Sequence, residues 1–411
     1  LGVLALSAPW FVHWQGPLTV TAVRAPLPAD FIWGVSASGW QSEGGRVDSN
    51  YTRANDKDSG QDRYGTSVDF RHRYREDVAL ARSLGINTFR IGISWARVEP
   101  RKGEVDEKEM AYYDDLIMAL KEAGIQPLVT LDHFVYPGWV ADQGGWSNER
   151  TVDDFVAYSR RIAERYHADV SHWLTFNEAF FNIIGIVIGD VPDRKTIGLI
   201  ADHMVAAHRQ VYDLIHTLDP QADVSSNFVW IGDTPASRKV QQWTDSLFLD
   251  RIADKNDVIA FDYYSSNFFG QVAHGKQNWG WNPNPPGLYR ALRALSERFP
   301  DKPLLICEAG MSTENGKPRA DGIRREDVLR DQVYWIQRAR EDGINVIGYM
   351  VWSLTDNFEW GSYTPRFGLY TVNVLTDPKL ECIPTPAVAP YREIVRAGGV
   401  PPDYIPVLGT R

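Results

Sequence analysis

Eight short apolar runs, rich in β-branched and aromatic residues, recur along the chain, and amphipathic helical stretches fill the gaps between them. The runs are FIWGVSAS (31–38), TFRIGISW (88–95), QPLVTLDHF (126–134), HWLTFNE (172–178), DVSSNFVW (223–230), DVIAFDYYSS (257–266), PLLICEAG (303–310) and VIGYMVWSL (346–354). Helical candidates between them are FRHRYREDVALARSLG, KEMAYYDDLIMALKEAG, TVDDFVAYSRRIAERYH, KTIGLIADHMVAAHRQVYDLIHTL, GLYRALRALSERF and EDVLRDQVYWIQRARED. Several end on a Gly just before the next run, as a C-cap should. Parallel strands cannot be joined by a tight turn, so each needs a crossover, usually a helix. Eight such units without a low-complexity linker fit one α/β chain folded as a single (β/α)8 TIM barrel. A doubly wound sheet shares the alternation, but no Gly-x-Gly-x-x-Gly turn or phosphate loop stands at a strand–helix junction.

Composition narrows the partners. Lys and Arg number 43 against 53 Asp and Glu in 411 residues, a formal net charge of −10, and no basic run stands out. A surface that tracks nucleic-acid phosphates is therefore not expected. The two cysteines, Cys307 and Cys382, allow at most one internal disulfide and leave the compartment open. The nine histidines show no His-Glu-x-x-His or other compact ligand spacing, so neither a metal nor another cofactor is expected. Residues 1–29 read as a lead-in to a catalytic domain over 30–411. Their start, LGVLALSAPWFV, is too short to span a bilayer, which takes about 20 residues. It fits the end of a signal or anchor segment equally with a hydrophobic lead-in that packs on the barrel. The first would place the protein outside the cytoplasm or at a membrane, the second in the cytoplasm.

A barrel of this kind concentrates chemistry at the C-terminal ends of its strands. Polar and aromatic residues cluster there: Gln41 follows run one, His133 ends run three, Asn177 and Glu178 end run four, Tyr264 lies late in run six, Glu308 ends run seven, and Glu359 follows run eight. Two carboxylates at the ends of different strands are what cleavage of a glycosidic bond requires. One is held protonated to donate to the leaving oxygen, and the other is ionised to attack the anomeric carbon. Glu178 and Glu308 are the chosen pair.

The fragments FIWGVSASGWQSEG, TFRIGISWARVEP, DHFVYPGWVADQGGWSNERTVDDF, HWLTFNEAF, FDYYSSNFF, PLLICEAG and GYMVWSLTDNFEWGSYTPRFGLY together resemble glycoside hydrolase family 1, the β-glucosidase family of retaining barrel enzymes. The resemblance runs from about Phe31 to about Asn373. It implies Glu178 as general acid/base and Glu308 as nucleophile, although the sequence also holds a literal Thr-Glu-Asn-Gly at 313–316, which makes Glu314 a rival. Glu308 is preferred because it ends an apolar run, whereas Glu314 lies in a Gly/Lys/Pro-rich loop. The resemblance further implies that Arg90 keeps the nucleophile ionised, that Tyr264 hydrogen-bonds it, and that Asn177 grips the sugar 2-hydroxyl. Gln41, His133, Trp352, Glu359, Trp360 and, more weakly, Phe367 would hold the sugar; Glu43 and Trp146 read as structural.

Relatives that act on 6-phosphorylated sugars carry Ser and Lys where this chain has the Glu359 region, so a neutral β-glycoside is expected here. The expected activity is hydrolysis through a glycosyl-enzyme intermediate, with the two carboxyl groups about 5–5.5 Å apart. A transglycosidase using the same intermediate and a silent sugar-binding barrel are the alternatives. The departures from the family are Phe134 for Trp, Asp262 for the Asn of Asn-Tyr-Tyr, Ala179 for Pro, and Cys307 and Ala309 beside the nucleophile. Asp262 adds a carboxylate that would raise its neighbours' pKa, and AFFNIIGIVIGDVPD after Glu178 suggests a remodelled, more open or more hydrophobic aglycone side. Alternation along run seven would turn Cys307 outward, toward the helices, as a packed thiol.

Overall fold

The computed structural model describes residues 18–23, 25–185, 192–265, 267, 270, 271 and 276–409. The eight runs form the staves of a parallel barrel: β1 Ile32–Ser36, β2 Thr88–Gly92, β3 Gln126–Asp132, β4 His172–Phe176, β5 Asp223–Ser225, β6 Asn227–Val229, β7 Ile259–Tyr263 and β8 Leu304–Ala309. The last stave, β10 Val346–Trp352, follows a two-residue strand, β9 Thr313–Glu314, which lies outside the barrel. The pairing order is β5-β4-β3-β2-β1-β10-β8-β7-β6, so nine strands fill eight positions. Run five is split at Ser226, and the circle closes there. The Ser225 hydroxyl donates to the Val258 carbonyl at 2.7 Å, and the Ser226 hydroxyl to the Phe176 carbonyl at 2.7 Å. Side-chain oxygens thus take over ladder positions and interrupt the strand.

The six expected helices are present, among them Phe70–Leu84, Arg150–Tyr166 and Arg194–Leu218. Gly85 (φ 78°) ends the first of these in the left-handed region that a side chain resists. Arg150–Tyr166 buries Val152, Phe155, Tyr158, Ile162, Ala163 and Tyr166, the three-to-four spacing of a helix with one apolar stripe. Phe155 is fully buried between Trp146 and Phe176, and its truncation to Ala would cost about 3–5 kcal/mol. The reading of the sequence did not single out Asn50–Lys57, Pro235–Leu247 or Val388–Ala397 as helices.

The apolar start, residues 1–17, lies outside the described residues. The rest of the lead-in is tied down: Tyr334 exchanges hydrogen bonds with the Thr21 backbone at 3.0 and 2.7 Å, and the Leu27 amide donates to the Gly398 carbonyl at 2.7 Å. No helix among the described residues is long and apolar enough to cross a membrane.

Inside the barrel, Leu128, Leu174, Val258, Ala260, Leu305, Cys307 and Met350 form an apolar floor. Cys307 therefore points inward, not toward the helices as alternation predicted. The cause is a β-bulge. Phe261 of β7 pairs with Ile306, but the next residue, Asp262, pairs with Glu308; on the other side Tyr349 pairs with Ile306 and Val351 with Ala309. After Ile306, β8 carries one residue more than either neighbour, so Cys307 faces the floor and Glu308 still faces the mouth. Bulges beside active sites commonly re-aim a side chain in this way.

Candidate active site

Above the apolar floor the barrel turns polar. Arg90, on β2 and fully buried, donates to Glu308 Oε1 at 2.5 Å, to Asn177 Oδ1 at 2.6 Å and to Thr130 Oγ1 at 2.9 Å. One guanidinium thereby ties β2, β3, β8 and the end of β4 together. The Tyr264 hydroxyl donates to the other oxygen of Glu308 at 2.6 Å. Asn227 donates to Asn177 Oδ1 at 2.8 Å and also to Asp262 Oδ2. Asp262 lies on β7, opposite Glu308 in the strand register.

Glu178 sits at φ 39°, ψ 53°, a left-handed conformation between β4 and the short helix Ala179–Ile183. A non-glycine residue held there stores on the order of 1–3 kcal/mol of strain, which the surrounding bonds must balance. Phe134 (φ 68°) and Trp360 (φ 48°), whose rings lie 5.1 Å apart, share that conformation. Three loops are therefore bent sharply, two of them at rings that meet.

The electrostatics follow from a surplus of acid. Glu178, Asp262, Glu308 and Glu359 surround a single buried cation, Arg90. Burial raises the pKa of Glu308, but Arg90 and the Tyr264 hydroxyl pull it back down. Glu178 lies well above the usual carboxylate range, pushed by burial and then by Glu308, with Arg90 opposing. Burial, Glu308 and Glu178 push Asp262 the same way. Of the pair, Glu308 ionises first and Glu178 keeps its proton. Burial carries Glu359 to about 8, although Trp352 Nε1 donates to its Oε1 at 2.9 Å. Burial, followed by Arg90, drives His133 well below its ordinary value, so its imidazole is neutral.

The other expected sugar-holding residues line the same mouth. Trp352 and Trp360 both lie nearly parallel to His133, with centroids 5.9 and 6.1 Å away. Gln41 donates to Asn357 Oδ1 and to the Phe358 carbonyl, each at 3.1 Å, and its Oε1 is buried without a partner. Phe367 packs edge-on against Tyr264 at 5.8 Å. Glu314, the rival carboxylate, is exposed on β9, which pairs with β11 Pro365–Arg366 away from Arg90. Glu43 is closed in a buried pair with Arg97 at 2.6 Å, and Trp146 packs on Phe155 and Phe176.

The sequence reading missed Thr130, Asn227 and Asn357. Thr130 is the single polar residue within the apolar PLVTL, a signal that could have found it, whereas Asn227 and Asn357 follow other polar residues and carry no such signal. No group of three or more His, Cys, Asp or Glu among the described residues is placed to hold a metal ion.

The model of glycosyl hydrolase family 1 matches residues 23–249 and 269–400. The chain belongs to that family. It is accordingly a glycoside hydrolase. Beta-glucosidase A of Acetivibrio thermocellus is 27% identical over 431 residues, covering 85% of this chain and 94% of that protein. A 6-phospho-beta-glucosidase of Dickeya chrysanthemi is 28% identical over 412 residues, covering 80% and 88%. A beta-glucosidase from Thermotoga maritima, solved in complex with castanospermine, shares the fold with a TM-score of 0.80 at 24% identity, covering 91% of this chain and 99% of that one.

Proposed function

We propose that this family 1 enzyme is a retaining β-glycosidase for neutral, non-phosphorylated β-glycosides, with Glu308 as nucleophile and Glu178 as acid/base. The observation that carries the reading is the unequal treatment of the two carboxyls. Glu308 receives both Arg90 and Tyr264, which favour its anion. Among the described residues no cation is ion-paired with Glu178, which keeps an opening to the mouth, where a proton can leave.

In the first step Glu308 attacks the anomeric carbon while the Glu178 proton passes to the glycosidic oxygen, and the aglycone departs as an alcohol. Glu308 is then an ester and Glu178 a carboxylate. In the second step Glu178 takes a proton from water, the water oxygen bonds the anomeric carbon, and Glu308 is freed as its anion. Asn177, fixed by Arg90 and Asn227, holds the sugar 2-hydroxyl through both steps.

Glu359 favours a neutral sugar. A 6-phosphate beside it would meet a carboxyl and the Trp352 indole, where a phosphate site calls for Lys or Arg. The relatives named above include enzymes of both kinds, so the substrate rests on this local chemistry. Comparing kcat/KM for 4-nitrophenyl β-glucoside and its 6-phosphate tests it: the neutral substrate should be favoured by at least about 100-fold, and the reverse order would overturn the assignment. The mechanism is tested by mass spectrometry after incubation with 2,4-dinitrophenyl 2-deoxy-2-fluoro-β-glucoside. A sugar adduct on Glu308 is expected, and an adduct on Glu314 would move the nucleophile.

A further inference from the structure

Asp132, the last residue of β3, is buried and takes no part in the reaction as derived above. Three hydrogen bonds that it accepts lead to turns at the mouth. Its backbone carbonyl accepts the Asn177 amide at 2.8 Å, one residue before Glu178. Its Oδ1 accepts the Asn182 side-chain amide at 3.3 Å, on the helix Ala179–Ile183 that starts directly after Glu178. The same oxygen accepts the Phe134 backbone amide at 2.7 Å, across the bend that carries His133. Glu178 and Phe134 are both left-handed, at φ 39° and 68°, a conformation that their surroundings must hold in place. One carboxyl oxygen thus serves two bent turns at once. The rings beside these bonds also meet, Phe134 lying edge-on to Phe181 at 6.2 Å.

We propose that Asp132 is a positioning residue for the acid/base, locking the Glu178 turn to the His133–Phe134 turn so that the Glu178 proton stays aimed at the glycosidic oxygen. This rests on the role proposed for Glu178. Asn177 and Asn182, on either side of Glu178, are both tied to this one residue of the adjacent strand, so the acid/base cannot swing without breaking a bond to Asp132. Proton transfer demands such control: a misplacement of about 1 Å can cost about 100-fold in rate. Asp132 itself does not touch the substrate. Its Oδ2 is buried without a partner, so the lock needs an acceptor at Oδ1 and no charge. An amide oxygen at the same place supplies that acceptor.

The test compares Asp132→Leu, which keeps no acceptor, with Asp132→Asn, which keeps Oδ1, and with Asn182→Ala, which cuts only the bond beside Glu178. Two substrates are used: methyl β-glucoside, whose leaving group needs a proton, and 2,4-dinitrophenyl β-glucoside, whose leaving group does not. The readout is kcat/KM, which reports the first step. Asp132→Leu should lose about 100-fold or more on the methyl glycoside and less than about 10-fold on the dinitrophenyl glycoside. Asn182→Ala should show the same order more weakly, about 5-fold on the methyl glycoside and no more than about 2-fold on the other. Asp132→Asn should stay within about 3-fold of the parent on both. Losses in folded Asp132→Leu that are equal on the two substrates, or absent from both, would overturn the proposal, and so would an Asp132→Asn enzyme as impaired as Asp132→Leu. If Asp132→Leu does not fold, Asn182→Ala decides by the same comparison. Glu178→Gln, assayed alongside, separates the two levels. If its loss is confined to the methyl glycoside, an overturning result refutes only the role of Asp132. If its losses are equal on both substrates, the reading of Glu178 as acid/base fails.

Discussion

Two buried arginine–glutamate pairs, Arg90–Glu308 on strands β2 and β8 and Arg97–Glu43 on the short helices Trp95–Val98 and Gly39–Glu43 that follow β2 and β1, differ in what surrounds them. Arg97 and Glu43 meet at 2.6 Å, and Arg90 and Glu308 at 2.5 Å; all four side chains are at least 95% buried. Glu43 is filled by its own donors, with the Tyr113 hydroxyl at 2.9 Å and Arg97 reaching on to the Gly44 carbonyl. That pair is neutral and complete. Arg90 and Glu308 instead sit among three further carboxyls, with Tyr264 as added donor. Depth and ion pairing are therefore common to a structural lock and a reactive site. Excess charge, held where it cannot be fully compensated, is what sets the second apart.

The contrast can be broken at either end. The largest effect is expected for Glu308→Gln, which should lower kcat on the order of 10⁵-fold, as loss of a covalent nucleophile does, while the protein stays folded by circular dichroism. Glu178→Gln comes next: a loss of about 10²–10⁴-fold on methyl β-glucoside, with the rate of the dinitrophenolate burst nearly retained. Glu43→Gln should reverse the pattern. Denaturant melts should show roughly 3–5 kcal/mol less stability, with turnover per folded molecule close to that of the parent.

A subtler effect is expected at Asp132, which burial carries to about 7 although the Phe134 amide and Asn182 donate to it. Between about pH 4 and 7 the folded state holds a proton that the unfolded chain has released, so stability falls as pH rises through that window and levels off above it. Asp132→Asn removes this dependence, and its Tm relative to the parent should climb from pH 4 to pH 7. Glu314→Gln should be the smallest change, within about two-fold in kcat/KM, since an exposed side chain on a two-residue strand has little to lose. A large loss there would mean that the literal Thr-Glu-Asn-Gly carries the chemistry after all.

Much of the barrel was legible because period and punctuation act locally. Each apolar run became a stave, and Gly85 and Gly124 end helices at φ 78° and 74° where the capping rule placed them. The helix Pro235–Leu247 escaped because PASRKVQQWTDSL buries mainly polar residues, among them Gln241, Thr244 and Asp245, leaving little apolar stripe to read. In the mouth, Arg90 followed from the family resemblance, and Tyr264 and Glu308 stood out at or near strand ends. Asn227 did not, because its meaning lies in a bond across the barrel to Asn177. The inward turn of Cys307 was illegible for the same reason: a bulge is defined by the partner strands, and no period within PLLICEAG reveals it.

That bulge makes the proposed chemistry a matter of phase. Were β8 regular, with Cys307 facing the floor and no bulge after it, alternation would send Glu308 among the helices and leave Arg90 facing an unreactive neighbour. A change of register that flattened the bulge would leave every residue of PLLICEAG in place and still silence the enzyme. Residue identities would score such a chain as intact; the fault would lie in the counting.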